Sequence, residues 1–161
     1  MRKIEETIFS NDFLAFGKDE NGIPLVDMKK KGIVNFVIDQ NQNIYLIKRS
    51  RGKQTSLEVP RGFADTVEAV KVFKSKFLDN GVSITERFDL GVVEADNGIM
   101  NNAVTITGVI VYIPEGFQDD ELMVVQAEDL FPLIAQGVIT CGYSLSAISR
   151  YVAHRMTLNQ Y

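Results

Sequence analysis

Apolar and polar positions alternate along the chain in two rhythms, and each change of rhythm marks an element. Residues 32–39, Gly-Ile-Val-Asn-Phe-Val-Ile-Asp, are apolar and β-branched almost throughout, which suits a strand buried on both faces. The polar run "DQNQN" then makes a turn, and Ile44 to Arg49 is apolar again, so the pair predicts a hairpin. Upstream, "DFLAFGKDENGIPLVDM" repeats this arrangement with Asn21-Gly22 as the turn between two short strands. A ribbon of two strands has too little area to be stable alone, so residues 1–31 are expected to form a β-ribbon laid on a larger sheet.

From Thr66 to Asn80 the rhythm becomes helical: Val67, Val70, Phe73, Phe77 and Leu78 share a face, and Asn80-Gly81 supplies a stop. Phe88 to Ala95 and Ala103 to Ile113 read as strands, the second suited to the middle of a sheet. "PEGFQDDE" is a loop, and Met123 to Ala127 is one more strand. Glu128 to Gln136 is expected as a short helix closed by Gly137, with Pro132 in its first turn, where a missing N–H is tolerated. The last helix is expected from Ser144 to Met156, burying Leu145, Ile148, Val152 and Met156. No repeat or linker interrupts this order, which predicts one α+β domain over 1–161, with the ribbon at 1–31 and the core at 32–161.

Composition narrows the function more than the fold. A chain of 161 residues, 45% hydrophobic and 24% charged, can bury one core. Its net charge of -4 gives no overall field to gather a polyanion, and the basic clusters "IKRSRGK" and "MKKKG" are local; no nucleic-acid partner is expected. Cys141 stands alone and cannot form an internal disulfide, Met1 to Glu6 has no apolar stretch behind its charges, and no apolar run approaches the roughly 20 residues that span a bilayer. These features predict a cytoplasmic protein without a membrane partner. His154, the single histidine, has no evident serine or cysteine partner and reads as a partly exposed residue of the last helix.

Several segments fall in a telling order: "LIKRSR", "LEVPRGF", the helix up to Gly81, "VVEADNGIMNNAVTITGVIVY", "PEGFQDDE" and "AEDLFPLIAQGVITCGYSLSAI". In that order and spacing they resemble the Nudix superfamily, specifically its ADP-ribose pyrophosphatase-like branch, over nearly the whole chain. The resemblance implies a Nudix fold, a mixed β-sheet core between helices in an α/β/α sandwich, with an N-terminal β-ribbon. It also implies Mg²⁺, held by a helical cluster of glutamates that are three and four residues apart and so share a face.

That cluster is where the chain departs from its relatives. The family box reads Gx5Ex7REUxEExGU, with U aliphatic. Counted from Gly62, Glu68 takes the first glutamate, but Lys76 and Phe77 take the arginine and the next glutamate. Counted back from Gly81, the REUxEE segment becomes Lys74-Ser75-Lys76-Phe77-Leu78-Asp79. Neither register restores the carboxylates; the second keeps the helix stop and leaves Asp79 as the one acidic survivor.

Carried over residue by residue, the resemblance assigns metal binding to Glu58, the Arg61 carbonyl and Asp79, and catalysis to Glu68, Asp79 and Glu115, the last from the acidic loop with Asp119, Asp120 and Glu121. It assigns substrate binding to Arg49 and Arg51 at the basic strand end and to Arg61 and Gly62 in the box loop; in "DNGIMNN", Gly98 permits a backbone turn close to a ligand and Met100 is placed to border a nucleobase. Arginine suits a diphosphate because its planar fork makes two charge-assisted bonds at once. Each residue also has a plain structural reading: Arg49 and Arg51 as a solvated strand end, Glu68 as a carboxylate facing a helix N-terminus, Gly98 as an ordinary turn. Three functions stay open: a binder of an ADP-ribose-type nucleoside diphosphate with weak or lost hydrolysis, an active Mg²⁺-dependent pyrophosphatase using Asp79 and Glu58, and a regulatory subunit without nucleotide. A homodimer is expected, with Phe13, Leu14, Phe16, Ile23 and Leu25 of the ribbon as the apolar contact.

Overall fold

The computed structural model describes residues 2–51, 54–63, 81–94 and 98–158. Its strands are β1 (Glu6–Ser10), β2 (Leu14–Lys18), β3 (Pro24–Met28), β4 (Gly32–Asp39), β5 (Ile44–Arg51), β6 (Gln54–Glu58), β7 (Arg61–Phe63), β8 (Ser83–Glu94), β9 (Met100–Asn101), β10 (Ala103–Tyr112) and β11 (Leu122–Val125). Two helices follow among the described residues, α1 (Ala127–Ala135) and α2 (Gly142–Leu158). The helix expected over 66–80, with Glu68 and Asp79, lies outside the described residues.

The larger sheet runs β11-β5-β4-β10-β8, with β6 added to β5 and β7 to β4. It is mixed: β10 lies parallel to β4 and antiparallel to β8. All of β4 is buried, as its continuous apolar run requires. Side chains alternate between two clusters. Val34, Phe36, Ile38, Ile44, Leu46 and Ile106 pack toward the helices, while Val37, Tyr45, Ile47, Val109 and Val111 belong to a separate group on the opposite face. Gly108 is fixed by close approach, because a Cβ there would meet the Phe88 ring at 2.2 Å.

The N-terminal segment forms its own sheet, β1-β2-β3-β9, rather than a ribbon of two strands. The pair around Asn21-Gly22 is present as β2 and β3. β1 was hidden because every one of its residues is exposed and "ETIFS" has no buried alternate face to read. Leu25 is 1% exposed, so it packs within the chain and cannot serve as a dimer contact. β6 and β7 carry no strand signal of their own; "QTSLE" and "RGF" are polar or very short, and their partners β5 and β4 make them strands.

Two expectations about the helices need correction. Pro132 lies inside α1, past the first turn, so the carbonyl of Glu128 loses the N–H it would meet in an uninterrupted helix. Ile148 is buried as expected, with Leu145 and Val152 packed against the core, but the centre of the inward face of α2 is Ser144, Ala147 and Tyr151, and Met156 is 61% exposed. Small residues let the helix approach the sheet, and Tyr151 stacks on Phe36 with ring centroids 4.3 Å apart. His154 is half-buried and stacks on Phe88 at 4.8 Å. Among the described residues no helix is long and apolar enough to cross a membrane.

Candidate functional site

The site begins with a turn between two edge strands. Glu58 ends β6 opposite Ile47, and Arg61 opens β7 opposite Val34. Three elements fix this turn and the strand end that leads into it: the Leu57 amide donates to the Val138 carbonyl at 3.0 Å, the Val59 amide to the buried Ser144 Oγ at 3.0 Å, and the Asn35 amide to the Pro60 carbonyl at 2.8 Å. A peptide turn buried this way needs such partners, and each one registers it against α2, the loop after α1, or β4.

Within that turn the two charged side chains meet. The Arg61 Nε donates to the Glu58 carboxylate at 3.1 Å, with the Glu58 side chain 5% exposed and that of Arg61 31% exposed. The Arg61 guanidinium also lies over the Tyr143 ring, 5.6 Å from its centroid. Tyr143 is steadied in turn by Asn102, whose Nδ2 donates to the phenolic oxygen at 2.7 Å. Tyr143 therefore reaches the site because it precedes Ser144, the residue that caps the turn.

Around this pair is a cavity of about 490 Å³. Arg49, Glu58, Arg61, Gly62 and Met100 all line it, so the structure brings together five residues singled out from the sequence. Met28, Phe63, Val104 and Tyr143 add apolar walls. Gly32 lines it too, and a Cβ there would meet a methyl of Val104 at 2.8 Å, so a larger residue would have to displace Val104. A second cavity, about 630 Å³, shares Met28, Met100 and Asn102 with the first and is bordered by Arg2, Lys30 and Lys31. The combination of apolar walls and a few convergent polar groups is what small-ligand sites require.

Other candidates fall elsewhere. Gly98 is exposed in the turn before β9, and Glu115 is exposed in the turn after β10; neither lines the cavity. The backbone of Arg51 pairs with Gln54 at the open end of the β5-β6 hairpin. Reading the sequence did not single out Tyr143, Asn102, Met28 or Phe63. An aromatic residue beside a serine at a helix start was the one signal for Tyr143, and it is a weak one.

The described residues do not make a Mg²⁺ site. Among them no three His, Cys, Asp or Glu side chains converge as ligands. Glu58, the one carboxylate among the residues lining the cavity, carries the Arg61 guanidinium. Mg²⁺ demands near-octahedral oxygen ligation at about 2.0–2.1 Å, and a fixed cation against that carboxylate opposes it.

No family model matches the chain, and no curated protein matches its sequence. A crystal structure described as that of an ADP compounds hydrolase is similar to it with a TM-score of 0.62 and 14% identity, covering 100% of each chain. At that identity the likeness is one of fold: the chain has an α+β, Nudix-like architecture over its full length.

Proposed function

We propose that this protein binds a nucleoside diphosphate of the ADP-ribose type in the cavity around Arg61, and that it hydrolyses the diphosphate weakly or not at all. The observation that carries the reading is the placement of Arg49 and Arg61 in one apolar-walled cavity of about 490 Å³. The two guanidinium groups receive the diphosphate, and Tyr143, Met100 and Phe63 offer flat or soft apolar surface to base and sugar. Weak hydrolysis follows from residues 74–79, Lys-Ser-Lys-Phe-Leu-Asp, which lack the glutamates that a metal-activated water requires. The setting in this reading is the cytoplasm.

Calorimetry with ADP-ribose, paired with assay of AMP release, tests both halves. Binding is expected with little or no AMP. Arg49→Ala or Arg61→Ala should each remove a charge-assisted contact of about 1.5–3 kcal/mol, a loss of roughly ten- to a hundredfold in affinity. Rapid AMP release would overturn the binding-only half, and unchanged affinity in both variants would return the arginines to ordinary surface charge.

The reading includes a homodimer through the N-terminal sheet. Ile8, Phe9, Phe13 and Ile23 remain 45–55% exposed there, a concentration of apolar surface that suits a self-complementary contact. Light scattering should give a dimer for the native chain and a monomer for Phe9→Glu. A native monomer at micromolar concentration would end this part of the proposal.

A further inference from the structure

A buried carboxylate must be hydrogen-bonded or paired with a cation, and where the partner is a cation at a cavity wall, that cation decides how an anionic ligand is received. For Glu58 the chain supplies it from three residues away. Arg61 is no loose surface cation: its backbone is paired with β4, its Nε is on Glu58 at 3.1 Å, and its guanidinium lies over Tyr143. Arginine is the cationic side chain that keeps its charge in proteins. A divalent ion on the same carboxylate would face a fixed positive neighbour at close range, with Oε2 already engaged by the Arg61 Nε.

We propose that Arg61 is the resident cation of this cavity: bound to Glu58, it takes the part that the Nudix resemblance gives to Mg²⁺, and Arg61 with Arg49 holds the ligand's diphosphate without a divalent metal. The inference rests on the nucleoside-diphosphate reading for its ligand, but not for its claim about metal. Glu58 is then a positioning residue. It orients the guanidinium so that the remaining N–H groups are free of the search over rotamers that a long side chain otherwise makes.

The experiment has two arms on the full chain. ADP-ribose is titrated by calorimetry in EDTA and again in excess Mg²⁺. Separately, Mn²⁺ alone is added to the protein and its electron paramagnetic resonance followed for loss of the free-ion signal. Expected are equal affinities with and without Mg²⁺ within about twofold, and no stoichiometric uptake of Mn²⁺ by the native protein. Arg61→Ala should weaken ADP-ribose at least about tenfold in either buffer, and Arg61→Lys, which keeps the charge but not the planar fork, should fall between.

Binding that appears only with Mg²⁺, or stoichiometric Mn²⁺ uptake by the native protein, would overturn the inference and leave the nucleotide reading standing. If ADP-ribose binds in neither buffer, the nucleotide reading fails, and the diphosphate part of this inference falls with it. Neither deciding measurement depends on a variant that must fold.

Discussion

Asp39 and Glu58 are buried almost alike, 2% and 4% exposed, yet the chain treats them differently. Asp39 receives the amides of Asn41 at 2.8 Å and Asn43 at 2.9 Å, the Asn43 Nδ2 at 2.7 Å and the Tyr45 hydroxyl at 3.0 Å. All are neutral donors from the next six residues, and together they close the β4-β5 turn. Glu58 takes a charged partner instead, and that partner lines a cavity. A carboxylate surrounded by local neutral donors is committed to the fold. One that holds a cation at the edge of open space leaves part of its partner's bonding capacity for something else.

The largest separation between the two should come from removing them. Asp39→Ala orphans a buried phenol and two turn amides, a loss expected at about 3 kcal/mol or more, with ligand affinity of the folded protein unchanged because Asp39 does not line the cavity. Arg61→Ala should do the reverse. Removing Arg61 leaves the buried Glu58 carboxylate without that guanidinium, but at the wall of an open cavity and with a lost partner that was itself 31% exposed, so the urea midpoint should fall less than in Asp39→Ala while affinity falls more. Equal losses of stability in both variants would erase the distinction.

This contrast also explains what the sequence disclosed. The β4-β5 hairpin was legible because its signal is local: an apolar run, a polar turn, an apolar run. The pairing of Glu58 with Arg61 was not, even though the residues are three apart, because the turn between them is held by Ser144, Val138 and Asn35 from distant parts of the chain. The same holds for β6 and β7, which exist through their partners. Resemblance pointed to Arg49, Glu58, Arg61 and Gly62 in separate metal-binding and substrate-binding roles, and the loop "DNGIMNN" to Met100; neither gave a role to Tyr143 or Asn102, whose places depend on packing at the start of α2. Gly98 and Glu115 were named on the same grounds and stand outside the cavity, since a loop's position in sequence does not fix where its side chains point.

A subtler test uses protons at the two ends of the pH scale. The amides of Ile23 and Asn21, together with Arg2, hold the Asp19 carboxyl below its ordinary value. With the folded pKa lowered, its stabilisation is full above the unfolded value of about 3.9 and is lost as pH falls through the folded one. Asp19→Asn should therefore flatten the acid limb of a stability profile and leave neutral ligand binding intact. Tyr45 sits at the other end: burial, then its bond to Asp39 and that residue's charge, raise its phenol. A raised tyrosine keeps its proton in the folded state after the unfolded chain has lost it, so stability should decline as pH rises past about 10, and Tyr45→Phe should remove that decline. An acid limb unaltered by Asp19→Asn would mean that other carboxylates govern it.

The smallest effect concerns the turn that Asp39 closes, which has a twin. In "DENGI" and "DQNQN" the aspartate amide donates to the carbonyl four residues on, at 3.0 and 2.9 Å, its carbonyl accepts from the amide three residues on, and its Oδ1 accepts the amides two and four residues on. The fourth residue is left-handed in both, Gly22 at φ 75° and Gln42 at φ 66°. Glycine adopts that conformation freely, whereas another L-residue there is strained by about 1 kcal/mol or more. Gln42 has one compensation, an exposed bond from Arg155 to its Oε1 at 2.6 Å. Gln42→Gly should thus raise stability by somewhat less than about 1 kcal/mol, after the lost contact and the greater freedom of an unfolded glycine are set against relief of strain. Gly22→Ala should lower it by a similar amount, and purely through the backbone, because a Cβ at Gly22 meets nothing within 4 Å. Paired urea midpoints decide the matter: shifts of opposite sign mean that φ governs both turns, and a loss in both variants would mean that the Gln42 side chain, through Arg155, matters more than the strain it bears.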